Sequence, residues 1–299
     1  MSKKRKIRQG SIVFDVVNYT LLALVAIICI LPIINVLAIS FSSSAKASAG
    51  MVKLIPLDFN MMSYKYALEK PQFTTSFFIS VQRVVLGLVV NMFCTIITAY
   101  PLSKNAKELS GRNIYAWFMF ITMVFSGGLI PWFITIKQLN LINSIWALVL
   151  PGAVPVFNVI ILMNFFKQLP KEISESAFVD GASHFTILFK IFLPLSLPSL
   201  ATVTLFCVVG HWNEWFSGLV LMTAPERYPL QTYLQSIIVV RDAQTLASAS
   251  KETLEMLSLV SDRTLKSAQI FIAAAPVLIL YPFMQKYFMK GLTLGSVKG

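Results

Sequence analysis

Two stretches hold most of the residues that could do chemistry. The first, 175–196, reads ESAFVDGASHFTILFKIFLPLS and sets Glu175 and Asp180 among small residues in an otherwise apolar chain. The second is WNEW at 212–215, with Trp212, Asn213, Glu214 and Trp215. Carboxylates in such places can work as acids or bases, hold a cation, or pair with a basic group of a partner. The first two uses need clustered helpers. The carboxylates here are dispersed, and the two histidines, His184 and His211, lie far apart, which argues against both a metal set and an enzyme. Cys29, Cys94 and Cys207 fall inside apolar runs without forming CxxC, and read as buried small apolar side chains. No GxxxxGKS/T occurs, so the chain has no P-loop of its own. The carboxylates of the insert are then either solvated or paired with a partner.

The elements that must carry these residues are membrane spans. Of 299 residues, 56% are hydrophobic and 13% charged, against about 25% charged in soluble proteins. Mean hydropathy is +0.72. The net charge of +12 does not signal nucleic acid, because the charges lie between apolar runs and form no basic face with stacking aromatics. Cytoplasmic loops and anionic lipid account for the excess.

Six apolar runs are long enough to cross about 30 Å of hydrocarbon: 16–41, 76–102, 113–136, 141–166, 199–222 and 267–288. The first exceeds the 7–15 residues of a cleaved signal's apolar core and reads as a retained span, despite AKA at 45–47. Six spans put both termini on one side. Lys3, Lys4, Arg5, Lys6 and Arg8 place the N-terminus in the cytoplasm, with Lys104, Lys107 and Arg112 in agreement. The cytoplasmic pieces are then 1–12, 103–112, 167–198 and the tail from 289. Two long outer segments, 42–75 (amphipathic around Met61–Leu68) and 223–266, are candidate docking surfaces. Pro32, Pro131, Pro155, Pro276 and Pro282 lie within spans, as in transporters whose backbone faces a cavity.

The insert 167–198 reads as two short helices at an angle. Pro170 suits a first turn, with Glu172 and Glu175 near the positive helix end. Gly181 supplies a left-handed cap, and Ser183 caps a second helix, 184–192, whose Phe185, Leu188, Phe189 and Phe192 would anchor on the bundle. Pro194 and Pro198 would end it. The competing reading is an interfacial loop without a partner.

The spacing Glu175-x-Ala177, Gly181, then Ile191-x-Leu193-Pro194 resembles the EAA signature of ABC-importer permeases, with Ser176 where alanine is usual. ESAFVDGASHF, IFLPLSLPSL, WNEW and the ending KGLTLGSVKG resemble the carbohydrate, maltose-type class of these permeases. The resemblance implies an all-α polytopic fold with six transmembrane helices and a cytoplasmic coupling helix, forming one transmembrane domain over 1–299. It implies a homologous second permease, two ATPase subunits that hold the ATP and Mg, an extracytoplasmic solute-binding protein contacting 223–266, and an oligosaccharide as solute. Glu175, Ser176, Ala177, Asp180, Gly181, Ala182 and Ser183 would form the ATPase-coupling element. In it Glu175 would pair with a basic group, Ala177 would allow close packing and Gly181 would make the bend.

Candidate residues of the solute path are Asn91, Asn158, Asn164, Trp212, Asn213, Glu214 and Trp215, since polar groups in spans are retained for lining or for interhelical bonding. A structural bond to a neighbouring helix competes for Glu214, and an interface anchor for the tryptophans. Gln82 and Arg83 could face the outer vestibule, although snorkelling to the interface is the preferred reading for Arg83. The signature is shared by importers of other polar solutes, so the sugar rests on the flanking resemblance. A secondary transporter would require an internal repeat and mid-membrane ionisable groups, and neither is clear here.

Overall fold

The computed structural model describes the backbone of residues 9–239 and 261–295, with side chains over 14–237 and 261–282. Among these, all regular structure is helical. In order come α1 (Gln9–Ser40), α2 (Ser44–Ser48), α3 (Met62–Glu69), α4 (Pro71–Ser103), α5 (Arg112–Val124), α6 (Leu129–Gln138), α7 (Ile145–Val149) and α8 (Val156–Gln168). After these come α9 (Lys171–Val179), α10 (His184–Ile187), α11 (Leu193–Leu195), α12 (Leu197–Asn213), α13 (Phe216–Leu221), α14 (Leu230–Val239) and α15 (Asp262–Gly295). A π-helical turn, Leu188–Phe192, joins α10 to α11. Two compact units result, one from 1–70 with 242–272, the other from 71–241 with 273–299.

In the first unit, α1 keeps its side chains exposed from Phe14 to Ile34, as a lipid-facing span requires. Its end is tied down: Ala38 and Ile39 are buried in a cluster with Ala47 and Val52. Phe41 stacks on Tyr64 at 4.8 Å and on Phe59 at 5.3 Å. The amphipathic stretch expected around Met61–Leu68 is α3, with Ser63 and Ala67 turned inward.

The second unit is organised around α4. Phe73, Ser76, Ser80, Arg83, Gly87, Asn91, Thr95 and Ala99 recur every three or four residues and are all buried. A stripe of small and polar groups lets other helices approach closely, and α8 and α12 pack along it. At Gly87 the approach is tight enough that a β-carbon would run into the His211 imidazole.

Three apolar helices are continuous spans: Phe14–Ser40, Pro71–Ser103 and Asp262–Pro282. Three further helix pairs are apolar enough to cross together but are bent, giving six spans if each pair is one. The run expected at 113–136 turns by 111° between α5 and α6, where Ser126-Gly127-Gly128 supply poor helix formers. The next bends by 47° between α7 with its 3₁₀ extension and α8. The run expected at 199–222 stops at Asn213, and its partner lies upstream: His184–Leu195 meets α12 at 85°. The helix holding Pro194 ends at Leu195, and Pro198 sits in the first turn of α12, where its missing N–H costs nothing.

The exposed thiol of Cys29 and the half-buried one of Cys94 depart from the expectation that all three are buried, and only Cys207 is. Within the outer segment 223–266, the backbone of 223–239 returns to the bundle. Leu230 N donates to Ser80 Oγ (2.7 Å), and Thr232 Oγ1 donates to Trp215 O (2.8 Å). Arg241, Asp242, Glu252 and Glu255 lie outside the described residues, as do Lys3 to Arg8.

Candidate functional site

The segment expected to couple to an ATPase is built by its cap. Ala182 N donates to Ala177 O (2.9 Å) and Gly181 N to Phe178 O (3.0 Å), the paired bonds of a Schellman motif. Gly181 takes φ +79°, a backbone that other residues adopt at a cost. Ser183 Oγ then accepts from Thr186 N (3.3 Å) and starts the next helix, as its residue type suggested.

This corner splits the predicted coupling residues into two sets. Glu175, Ser176, Asp180, Gly181 and Ser183 are exposed. Ala177 is buried and Ala182 packs beside it, within a core that also holds Tyr100, Leu162, Phe166, Ile187, Phe192 and Val203. The small size of Ala177 therefore serves packing inside this chain. Of the predicted anchoring stripe, Leu188 and Phe192 are buried, whereas Phe185 and Phe189 are exposed on the opposite face and Ile187 takes the inward place. Beneath α9 and α10, the Tyr100 ring meets Phe192 edge-on at 5.2 Å, and its hydroxyl lies 3.2 Å from His184 Nδ1. The α9 side chain Ala177 thus shares one buried cluster with α4, α8 and α12.

Further along these helices lies a cavity of about 950 Å³. Its polar groups form two tiers. In one, Arg83 is buried, donates through Nη1 to Glu214 O (2.9 Å) and through Nη2 to Ser217 Oγ (3.1 Å), and pairs with the Glu214 carboxylate. Ser217 N also donates to Glu214 Oε1 (2.7 Å). In the other, Asn91 Nδ2 faces Gly87 O and Gly152 O (both 3.2 Å) while its Oδ1 accepts from His211 Nε2 (3.1 Å), the amide orientation that satisfies both ends. Asn158 Nδ2 donates to Cys207 Sγ at 3.3 Å. In this lining the Arg83 and Glu214 charges are paired with each other and the amides are bonded within the bundle.

Of the seven candidate path residues, Asn91, Asn158 and Glu214 line this cavity. The other four do not. Asn164 and Asn213 are exposed away from it, and Trp215 packs edge-on against Phe216 at 5.8 Å. Trp212 is buried against Phe77 (5.7 Å), with its Nε1 donating to Ala273 O at 2.9 Å. Sequence reasoning missed Arg83, His211 and Ser217. Arg83 does not snorkel, because a carboxylate is in reach inside the fold. Its signal was present: an ionisable group in a span implies a partner there, and Glu214 was the available one.

Comparison with known proteins adds the decisive observation. Residues 109–293 match the family model described as the binding-protein-dependent transport system inner membrane component. The chain belongs to this family. It is 40% identical to the polygalacturonan/rhamnogalacturonan transport system permease protein YtcP of Bacillus subtilis (strain 168), over 96% of this chain and 98% of that one. It is 39% identical to Protein LplC of the same organism, over 96% and 95%. Among solved structures, it superposes with a TM-score of 0.85 and 33% identity on a chain of a bacterial ABC transporter involved in the import of the acidic polysaccharide alginate, covering 94% of this chain and 99% of that one. The bent spans and the capped loop thus belong to an inner-membrane permease of the ABC-importer class, a multi-pass membrane protein.

Proposed function

We propose that this permease passes an oligosaccharide delivered by an extracytoplasmic solute-binding protein, working with a homologous second permease and two ATPase subunits that hold ATP and Mg. The N- and C-termini then face the cytoplasm, and α9 is the element the ATPase moves. One observation carries the reading: α9 exposes Glu175, Ser176 and Asp180 while its other side is packed into the core shared by α4, α8 and α12. Glu175 offers a carboxylate to a basic group of the ATPase. Closure of the ATPase pair on ATP displaces α9, and the shared core carries that displacement to the helices lining the cavity. Differential binding of ATP and loaded binding protein to the two states supplies the free energy for the shift. The oligosaccharide class is supported by the polymers named for YtcP and for the alginate importer, the latter acidic.

The test is ATPase activity of the reconstituted complex with and without loaded binding protein, for wild type and Glu175→Ala. The expected result is loss of stimulation with the complex still assembled. Unchanged stimulation and uptake would show that the loop does not couple. Uronate-bearing oligosaccharides come first in the substrate panel, and stimulation by other solutes alone would remove the sugar assignment.

A further inference from the structure

A second cavity, of about 610 Å³, opens between the turn 103–112 and α9. Lys104, Arg112, Lys167 and Lys171 line it together with two carboxylates, Glu108 and Glu175. Among the described residues, none of the four cations lies within 4.0 Å of a carboxylate. Glu108 is instead occupied by Asn105 Nδ2 at 2.7 Å. Arg112 spends Nε on Leu102 O (3.0 Å) and Nη1 on Asn113 Oδ1 (3.0 Å), both neutral acceptors. Lys104 Nζ rests over the rings of Tyr100 and Phe192, 4.7 and 4.9 Å from their centroids, and burial lowers its proton affinity. Four cations against two carboxylates around one space leave a net positive charge that an anion would relieve.

The cavity sits at the ends of three apolar helices, α4, α5 and α8. Lys104 directly follows α4, Arg112 opens α5, and Lys167 is the penultimate residue of α8, so three cations ring the ends of three apolar helices. A further groove of about 300 Å³ shares Arg112 and continues along α5 past Ala116, Trp117 and Phe120. A cationic space joined through one arginine to an apolar groove matches a molecule with an anionic head and a hydrocarbon tail. A soluble anion or an acidic protein surface would leave the groove unused.

We infer that this corner binds one anionic phospholipid, with its phosphate among Lys104, Arg112, Lys167 and Lys171 and an acyl chain along Trp117 and Phe120. The lipid bridges the turn 103–112 to α9 and so braces the start of the coupling segment. Neither the identity of the transported solute nor the direction of threading enters this inference.

Native mass spectrometry of the intact complex, reconstituted in mixed phosphatidylglycerol and phosphatidylcholine, tests it. Wild type should retain phosphatidylglycerol selectively. Arg112→Gln/Lys167→Gln should retain it about 30-fold less, since each cation near an anionic headgroup favours binding by a few-fold or more. Charge-keeping Arg112→Lys/Lys167→Arg should retain it, as should Lys107→Gln, whose lysine is on the same turn outside the cavity. Trp117→Ala should weaken retention without touching a charge. Equal retention by wild type and the Gln pair overturns the site. Displacement of the lipid by millimolar inorganic phosphate alone reassigns it to a soluble anion. If the Gln pair loses ATPase subunits while its phosphatidylglycerol count stays constant, the corner is a protein contact. Should the Gln pair fail to assemble, Lys104→Gln/Lys171→Gln makes the same comparison from the other half of the ring.

Discussion

Arg83 and Glu214, separated by 131 positions in the chain, close the gap between α12 and α13: one guanidinium bonds both the backbone carbonyl and the carboxylate of the residue at the break. The helix ends at Asn213 with carbonyls that lack intrahelical partners, and a side chain from α4 satisfies one of them. The pair is thus a structural fastener whose carboxylate also borders the cavity.

Removing either partner alone leaves a charge without compensation. Breaking a fully buried pair costs about 3–5 kcal/mol. Glu214 is 35% exposed, so the lower part of that range applies. Arg83→Gln and Glu214→Gln should each lower the melting temperature of the detergent-purified complex markedly. The double variant should lose less than the sum, because two neutral amides can bond each other. Additive losses in that cycle would mean the two side chains do not interact.

The capped turn of α9 was legible in the sequence because its signals are local. Gly181 must supply a left-handed cap and Ser183 an N-cap, and both do so within five residues of chain. The six apolar runs were legible for the same reason. What was not legible depends on groups far apart in sequence. Arg83 reads as an interface residue until Glu214 arrives from another helix. The apolar stripe was right at Leu188 and Phe192 but not at Phe185 and Phe189, which are exposed while Ile187 is buried. The sharp turn in the run 113–136 falls at Gly127-Gly128, which hydropathy averages over. WNEW presents four polar or aromatic residues in a row, and a helix end sends only Glu214 to the cavity.

Gly87 has no room for a side chain. Gly87→Ala would drive a β-carbon into His211 and displace the Asn91–His211 bond, at about 1–3 kcal/mol for overpacking. The expected outcome is a lower melting temperature and reduced uptake, both partly restored in Gly87→Ala/His211→Ala, where the clash is gone. Failure of the second substitution to restore either would show that the close approach is not what matters at this position.

Tyr100 joins the coupling segment to α4 through a single polar contact, its hydroxyl 3.2 Å from His184 Nδ1. Tyr100→Phe keeps the ring against Phe166 and Phe192 and removes only that contact, worth about 1 kcal/mol. A small fall in melting temperature should accompany a clear fall in ATPase stimulation by loaded binding protein. If stimulation is unchanged while stability falls, the contact holds the fold without transmitting motion.

The last prediction concerns the backbone at Gly181. At φ +79°, an alanine there is disfavoured by about 1–2 kcal/mol, whereas asparagine visits the left-handed region more readily. A β-carbon meets nothing within 4 Å, so any effect of substitution is conformational and not steric. Gly181→Ala should therefore loosen the cap, spoil the angle between α9 and α10, and reduce ATPase stimulation with the complex still assembled. Gly181→Asn should retain most of the stimulation. That order, glycine above asparagine above alanine, is specific to a left-handed cap. An exposed residue that simply touched the ATPase would instead rank its substitutions by size, with alanine the best tolerated, and such a result would sink the assignment of Gly181 as the hinge of the coupling segment.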